Sequence, residues 1–495
     1  VFLKDRNLRC VDGTRPVLYV APARCTQPGG CLQPGGAVAP FGAEIESDNW
    51  IVSFTGGGAC HARDTNGDGV YDDGTNCTSV YPSERSEMGT ATEPPMKNLG
   101  PPAGSSGILS RDPVLNPVFA SYHSVRVEKC SYDRYNGRAE HPNVAGSLDG
   151  QPFTYTLYSH GQLIAESAID ELLNGLSYTT WDDSNQDGIV DERKARLPRL
   201  ASARQVLLVG HSGAAHGLRH NADRLAARIQ RGAAHPDVRV VFDANFLPSI
   251  EGEAAFAPGL NGNPYTGQWV GASSASGQPF TYDGQAFHRS GFVAEQLDSW
   301  QTALDESCLA AHPPSTQWQC RDRQHVLFNH LSTPMFVRED QADPNTEHLD
   351  GGAGHPITWA LLAGCSYQPG PPAPGCDARF APLIEHRPRL LDLARWLLGG
   401  IGTRSEIARG VDSSLGAGQS PSVYLWMPIC FSHAGAFSND AFFSTGIVEG
   451  PQTLSMRQAL ESLLAMPARN AIDWRIHGNV CGRPMSSDCN LPPAP

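Results

Sequence analysis

No block of lysine or arginine occurs anywhere in the 495 residues, and 37 basic side chains face 51 acidic ones for a formal net charge of −14. Such a chain has nothing with which to track a phosphate backbone or an anionic bilayer, which argues against nucleic acid and charged membrane as partners. No run of 18 apolar residues appears, so no segment reads as a membrane span. C-x2-C knuckles and paired Cys/His spacings are missing too, which argues against structural zinc. Also missing are an initiating methionine and a charged-then-apolar leader. The chain is therefore expected to be a mature secreted product, extracellular or periplasmic, whose signal peptide has been removed. No oligomeric state follows from the sequence.

What the chain does have is thirteen cysteines, 51 glycines and 39 prolines. Five close pairs stand in Gly/Pro-rich text: Cys25 with Cys31, Cys60 with Cys77, Cys308 with Cys320, Cys365 with Cys376, and Cys481 with Cys489. Local disulfides holding long irregular connections are the natural reading in an exported protein. Cys10, Cys130 and Cys430 remain, so at least one thiol is left over or bonds between molecules.

The stretch that organises the rest is Val206-Leu207-Leu208-Val209-Gly210-His211-Ser212-Gly213-Ala214. Four consecutive apolar residues make a buried strand, and Ala214, Ala215, Leu218, Ala222, Leu225, Ala226 and Ile229 then follow at helical spacing. Ser212 thus stands at the tip of a strand-to-helix turn, where a sharp elbow lifts a hydroxyl clear of the sheet beside the first helical amides. Gly210 and Gly213 keep the turn narrow. Ala214 stands where the G-x-S-x-G pattern has its second glycine. Upstream, Trp50-Ile51-Val52-Ser53-Phe54 is a strand that runs directly into Gly56-Gly57-Gly58. Bare backbone amides after a strand can approach a ligand unobstructed, and in esterases this is where half of an oxyanion hole lies.

Strand, helix, strand is the rhythm of a doubly wound, mostly parallel sheet. Leu163, Ile164, Ala168, Leu172, Leu173 and Leu176 outline a helix ahead of the elbow, and Val238 to Asp243 a strand after it. Residues 1–45 read as an N-terminal arm, 46–470 as an α/β-hydrolase catalytic domain with an insertion or cap at about 245–325, and 471–495 as a disulfide-bearing tail. The cap carries Trp269, Tyr282, Phe287, Phe292, Trp300 and Trp318 in text with little periodicity.

Two acidic loops share one pattern. Asp64, Asn66, Asp68 and Asp72 in one, and Asp183, Asn185, Asp187 and Asp191 in the other, supply oxygens at positions 1, 3, 5 and 9 around a glycine at 6. That matches a calcium loop, although position 12 is Thr75 or Lys194 rather than glutamate. Structural calcium is expected; no cofactor is expected for catalysis.

A nucleophilic serine needs a base, and the base a carboxylate. In elbow enzymes the chain order is serine, acid, histidine, each following a strand. Met335-Phe336-Val337 precedes Asp340 and Asp343, and Tyr424 to Met427 precedes His433. His355 lies too close after Asp343 for an intervening helix and strand. His216 and His220, at helical spacing past the serine, read as solvated or supporting groups rather than metal ligands.

These residues resemble the pectin acetylesterase and Notum family of carboxylesterases. The resemblance runs through Asn49 to Cys60, where Ala59 replaces the usual tryptophan of GGGWC. It continues through Gly107 to Ser110, Asn116 to Phe119 and Val125 to Ser131, then Val206 to Asp223, Thr333 to Asp343, and Cys430 to His433. Ser212-Gly213-Ala214-Ala215 stands where the family has S-A-G-G. The resemblance implies an α/β-hydrolase fold with disulfide-held insertions, Ser212 as nucleophile, Asp343 as orienting acid and His433 as base. It also implies the amides of Gly56, Gly57 and Gly213 as oxyanion donors. The substrate expected is a carboxylic ester, first an O-acetyl group on a polysaccharide and second a lipid or polyester ester. The competing class is an inactive secreted protein that binds in a calcium-dependent way.

Overall fold

The computed structural model describes residues 1–66, 68–75, 77–78, 106–148, 150–182, 191–231, 235–244, 280–282, 285–287, 297–314, 317–321, 326–327, 329–339, 421–427, 435–439, 442–443, 446–449, 452–467 and 472–476. The chain divides into two compact units, Val1–Val240 with Glu295–Ala303, and Val241–Ala294 with Leu304–Pro495.

The first unit carries β1 (Leu18–Ala21), β2 (Asn49–Phe54), β3 (His123–Val127), β4 (Ala139–Leu148), β5 (Gln151–Ser159), α1 (Gly161–Asn174), β6 (Ser177–Asp182), β7 (Asp191–Arg196), β8 (Gln205–His211), α2 (Gly213–Gln230) and most of β9 (Asp237–Asp243). Its sheet order is β1-β3-β2-β8-β9. β1 runs antiparallel to β3, while β3, β2 and β8 are parallel, with Trp50 opposite His123 and Val206. Trp50, Ile51, Val52 and Phe54 are fully buried, as are Val206 to Val209, which is why both strands read as unbroken apolar runs. After β2 the chain passes to β3 on one side and later returns to β8 on the other. In open α/β sheets that reversal opens a crevice at the carboxyl ends of the two flanking strands. The loops that leave β2 and β8 there carry Gly56 and Ser212.

Outside this sheet stand two antiparallel hairpins, β4 with β5 and β6 with β7. Neither has a continuous apolar run: the first half of β5 is exposed, and so the pair gave no sequence signal. Of the second acidic loop only Asp191 is described, as the first residue of β7, opposite Asp182. Cys10 and Cys130, without local partners in the sequence, bond to each other across 120 residues, while Cys25–Cys31, Cys60–Cys77 and Cys308–Cys320 pair locally as expected. Cys365, Cys376, Cys430, Cys481 and Cys489 lie outside the described residues. Within the stretch set apart as a cap, residues 297–303 belong to the first unit, where Leu297, Ser299 and Trp300 are buried and the Trp300 Nε1–H donates to the Cys60 carbonyl at 2.8 Å.

The second unit holds the end of β9, β10 (Met335–Arg338), β11 (Val423–Met427), α3 (Met456–Ala465) and β12 (Ile472–Ile476), with sheet order β9-β10-β11-β12. β10, β11 and β12 are parallel. Ser455 and Gln458 close a capping box on α3, whose Met456, Ala459, Leu460 and Leu463 are buried. β1 lies within residues 1–45 and β12 within 471–495. Among the described residues no helix is long and apolar enough to cross a membrane.

Candidate active site

Ser212 joins β8 to α2 with φ 51° and ψ −123°, outside the wells that non-glycine residues ordinarily occupy. The strain follows from the elbow, which must turn a buried strand into a helix within one residue. Its carbonyl accepts the Ala215 amide at 2.9 Å, the first bond of the helix. The side chain is half-buried, and Gly213 is buried. A methyl on Gly210 would come within 2.6 Å of Leu218 Cδ1 and 3.0 Å of the Ala215 backbone, so glycine is required there. Ala214 is 1% exposed, and the helix accommodates its methyl.

The triple-glycine loop lies across this elbow. A Cβ built on Gly56 would stand 2.7 Å from Ser212 Cβ, and one on Gly213 would stand 3.2 Å from the Gly57 nitrogen. Gly57 has φ +146°, and a side chain there would collide with Lys129. Gly56, Gly57 and Gly213 are thus brought together around Ser212, with no side chain between. Thr55 is braced by the Lys129 amide, which donates to its hydroxyl at 2.8 Å, and Tyr135 donates its hydroxyl to the Val127 carbonyl at 2.9 Å. The Lys129 ammonium rests 4.2 Å from the centroid of the Tyr132 ring.

The elbow helix is clamped from the other side by residues that carried no sequence motif. Tyr132, Arg134 and Tyr135 all take positive φ, and the Arg134 carbonyl lies where a side chain on Gly217 would have to go. Asn221 donates to the Tyr135 carbonyl at 2.8 Å. Asp133, fully buried, accepts the Ser131 hydroxyl at 2.7 Å and the amides of Tyr135 and Gly161 at 2.9 and 2.6 Å. Burial pushes its carboxyl pKa up, against those hydrogen bonds. Nothing in the sequence tied Asp133 to the start of α1. Of the two roles expected for His216 and His220, solvated or supporting, the first does not hold: they are buried on α2, 4% and 1% exposed, because α2 is covered on that face as well.

Asp340, Asp343, His355 and His433 lie outside the described residues, as do Asp183, Asn185 and Asp187. The first acidic loop is described apart from Gly67. There the Asp64 carboxylate accepts the Gly69 amide at 2.8 Å, Asn66 Oδ1 the Asp68 amide at 3.0 Å, and Asp68 the Val70 amide at 2.8 Å. Asp72 accepts the Thr65 hydroxyl at 2.9 Å, and Gly69 takes φ +84° at the sharp bend. The Arg63 and Asp73 bridge and the Cys60–Cys77 disulfide close the loop at its base. Cys308, His312 and His330 also cluster, but Cys308 is in a disulfide and offers no thiolate.

A family model described as pectinacetylesterase matches residues 34–180. The chain is 22% identical over 338 residues to palmitoleoyl-protein carboxylesterase notum2 of Xenopus laevis, covering 68% of this chain and 50% of that protein. It is 24% identical over 231 residues to pectin acetylesterase 5 of Arabidopsis thaliana, 47% of this chain and 39% of that one. The chain thus spans half or less of the length of these relatives. The solved structure of the Wnt deacylase Notum from Drosophila aligns with a TM-score of 0.55 over 99% of both chains at 18% identity. That likeness establishes an α/β-hydrolase-like fold. The resemblance read from the motifs is therefore met by the family model, by both kinds of relative and by the fold.

Proposed function

We propose that the chain is a secreted serine esterase that hydrolyses carboxylic esters through an acyl-enzyme. The observation that carries this reading is the strained Ser212 at the carboxyl end of β8 with Gly56 and Gly57 laid against it. An elbow serine beside unobstructed glycine amides is what ester attack requires: the hydroxyl adds to the carbonyl carbon, and the amides of Gly56, Gly57 and Gly213 receive the negative charge that develops on oxygen. His433 takes the serine proton and returns it to the leaving alcohol. Asp343 holds the imidazole, and water then releases the acid. These two roles rest on chain order and family resemblance.

O-acetyl groups on a polysaccharide are the leading substrate. A long-chain acyl ester is the second reading, favoured by the relative named for palmitoleoyl-protein hydrolysis. Four disulfides among the described residues support an oxidising compartment. Calcium in the loops at Asp64, Asn66, Asp68 and Asp72, and at Asp183, Asn185, Asp187 and Asp191, serves geometry and not chemistry. The inactive binding protein is disfavoured by the retention of a serine, an acid and a histidine in working order.

Nitrophenyl esters of rising chain length, beside acetate release from acetylated xylan and pectin, test the reading. Ser212→Ala should abolish all turnover. A fluorophosphonate probe that labels another serine in the wild type would overturn the assignment, and Asp340→Asn proving worse than Asp343→Asn would move the acid.

A further inference from the structure

The second unit contains a buried carboxylate that the proposed chemistry does not use. Asp243 ends β9 and is fully buried, and so is Arg338 at the end of β10. Arg338 Nη1 donates to Asp243 Oδ1 at 2.8 Å. The same oxygen accepts the Gly435 amide at 3.0 Å, and Oδ2 accepts the Ala436 amide at 2.8 Å. The Gly435 backbone lies directly on the guanidinium, since a Cβ there would stand 2.9 Å from Arg338 Cζ. Arg338 also lies 6.0 Å from the Trp426 ring centroid on β11, and its carbonyl accepts the Ala244 amide at 3.1 Å.

A charged pair taken wholly out of water is costly unless every lone pair and proton finds a partner, and here the partners are two backbone amides of one turn. That turn begins two residues after His433. A carboxylate that accepts from consecutive amides fixes the direction of the backbone between them.

We propose that Asp243, held by Arg338, is a positioning residue for the base of the reaction proposed above. It acts through the backbone at Gly435 and Ala436 and touches neither substrate nor the reacting atoms. The inference rests on His433 being that base.

Asparagine at 243 has one acceptor oxygen and one amino group. Whichever way it is turned, an N–H meets a donor, either Ala436 or the Gly435 and Arg338 pair. Asp243→Asn should therefore lower kcat for p-nitrophenyl acetate roughly 10- to 100-fold with KM within about threefold, because a misplaced base costs the transition state and not ground-state binding. Fluorophosphonate labelling of Ser212 should slow in proportion. The acid limb of the kcat/KM profile should move to lower pH, since a base less well held by its carboxylate is a weaker one. Loss of fold stability alone would leave that limb in place for the folded fraction. Should Asp243→Asn not fold, Arg338→Lys keeps the charge but loses the planar fork, and a roughly 3- to 10-fold fall in kcat is expected. His433→Ala is measured beside them. If it keeps wild-type turnover, the base assignment falls. If it is inactive while Asp243→Asn, or Arg338→Lys in its place, retains wild-type kcat and the wild-type acid limb, the positioning role is overturned.

Discussion

Ser212 at φ 51° and ψ −123° offers a way to measure the elbow apart from catalysis. Alanine and glycine at 212 both remove the nucleophile, so neither variant should turn over an ester. They differ in one respect. Alanine keeps the Cβ that makes this backbone conformation costly, and glycine does not. Strain of this kind amounts to about 1–3 kcal/mol. Glycine gives back about 0.4–1 kcal/mol through the greater freedom of its unfolded chain. The balance leaves Ser212→Gly more stable than Ser212→Ala by roughly 0.5–2 kcal/mol, against the usual ranking in which alanine is the better residue. With a urea m-value of about 2–3 kcal/mol/M, the midpoint for glycine should lie about 0.2–1 M above that for alanine. Tryptophan fluorescence reads the transition, as Trp50 on β2 and Trp300 are both buried within the first unit. Equal midpoints, or alanine above glycine, would refute a strained elbow, and with it the structural ground for treating Ser212 as the nucleophile.

Replacing Cys10 and Cys130 together by serine should cost about 2–5 kcal/mol in chemical unfolding, because the bond closes a loop of 120 residues; an unchanged midpoint would mean that the bond does not form. His61 and His123 are both held down to about 4, each first by burial, then His61 by Arg63 and Arg134 and His123 by Arg111. In both cases the unfolded chain binds the proton first, so stability is complete above pH 6.5 and is lost as pH falls from 6.5 towards about 4. About 3 kcal/mol is at stake for each histidine, and His123→Gln should flatten the slope of unfolding free energy between pH 7 and 5. Calcium at a hundredfold excess over its dissociation constant should stabilise the fold by about 2.7 kcal/mol. EDTA should lower the melting temperature and calcium restore it, with Asp68→Ala or Asp187→Ala blunting the response; metal-free protein that melts alike with and without chelator would make both loops ordinary turns.

The elements nearest the chemistry were legible because they are buried on both faces. Trp50 to Phe54, Val206 to Val209, Val238 to Asp243, Met335 to Val337 and Tyr424 to Met427 are central strands, where burial demands a continuous apolar run that short windows detect. Gly56, Gly57, Gly210 and Gly213 were legible for the complementary reason, that backbone passing within contact distance of backbone admits no side chain. The β4–β5 and β6–β7 hairpins were not, since their exposed faces leave an alternation diluted by threonine, glycine and charge. β1 and β12, with four and five residues at the ends of the chain, sit in text that reads as arm and tail.

Sequence alone therefore determined the buried central strands, the elbow serine and the glycine loop, because each is imposed by local geometry or by burial that repeats along the chain. Only the tertiary structure decided what is paired across long separations. The Cys10–Cys130 bond, the Asp133 carboxylate on the first amide of α1, and the Asp243 and Arg338 pair at Gly435 and Ala436 join residues up to 193 positions apart. A buried cysteine, aspartate or arginine carries no periodicity of its own. What makes each of them stable is a partner that the fold brings to it.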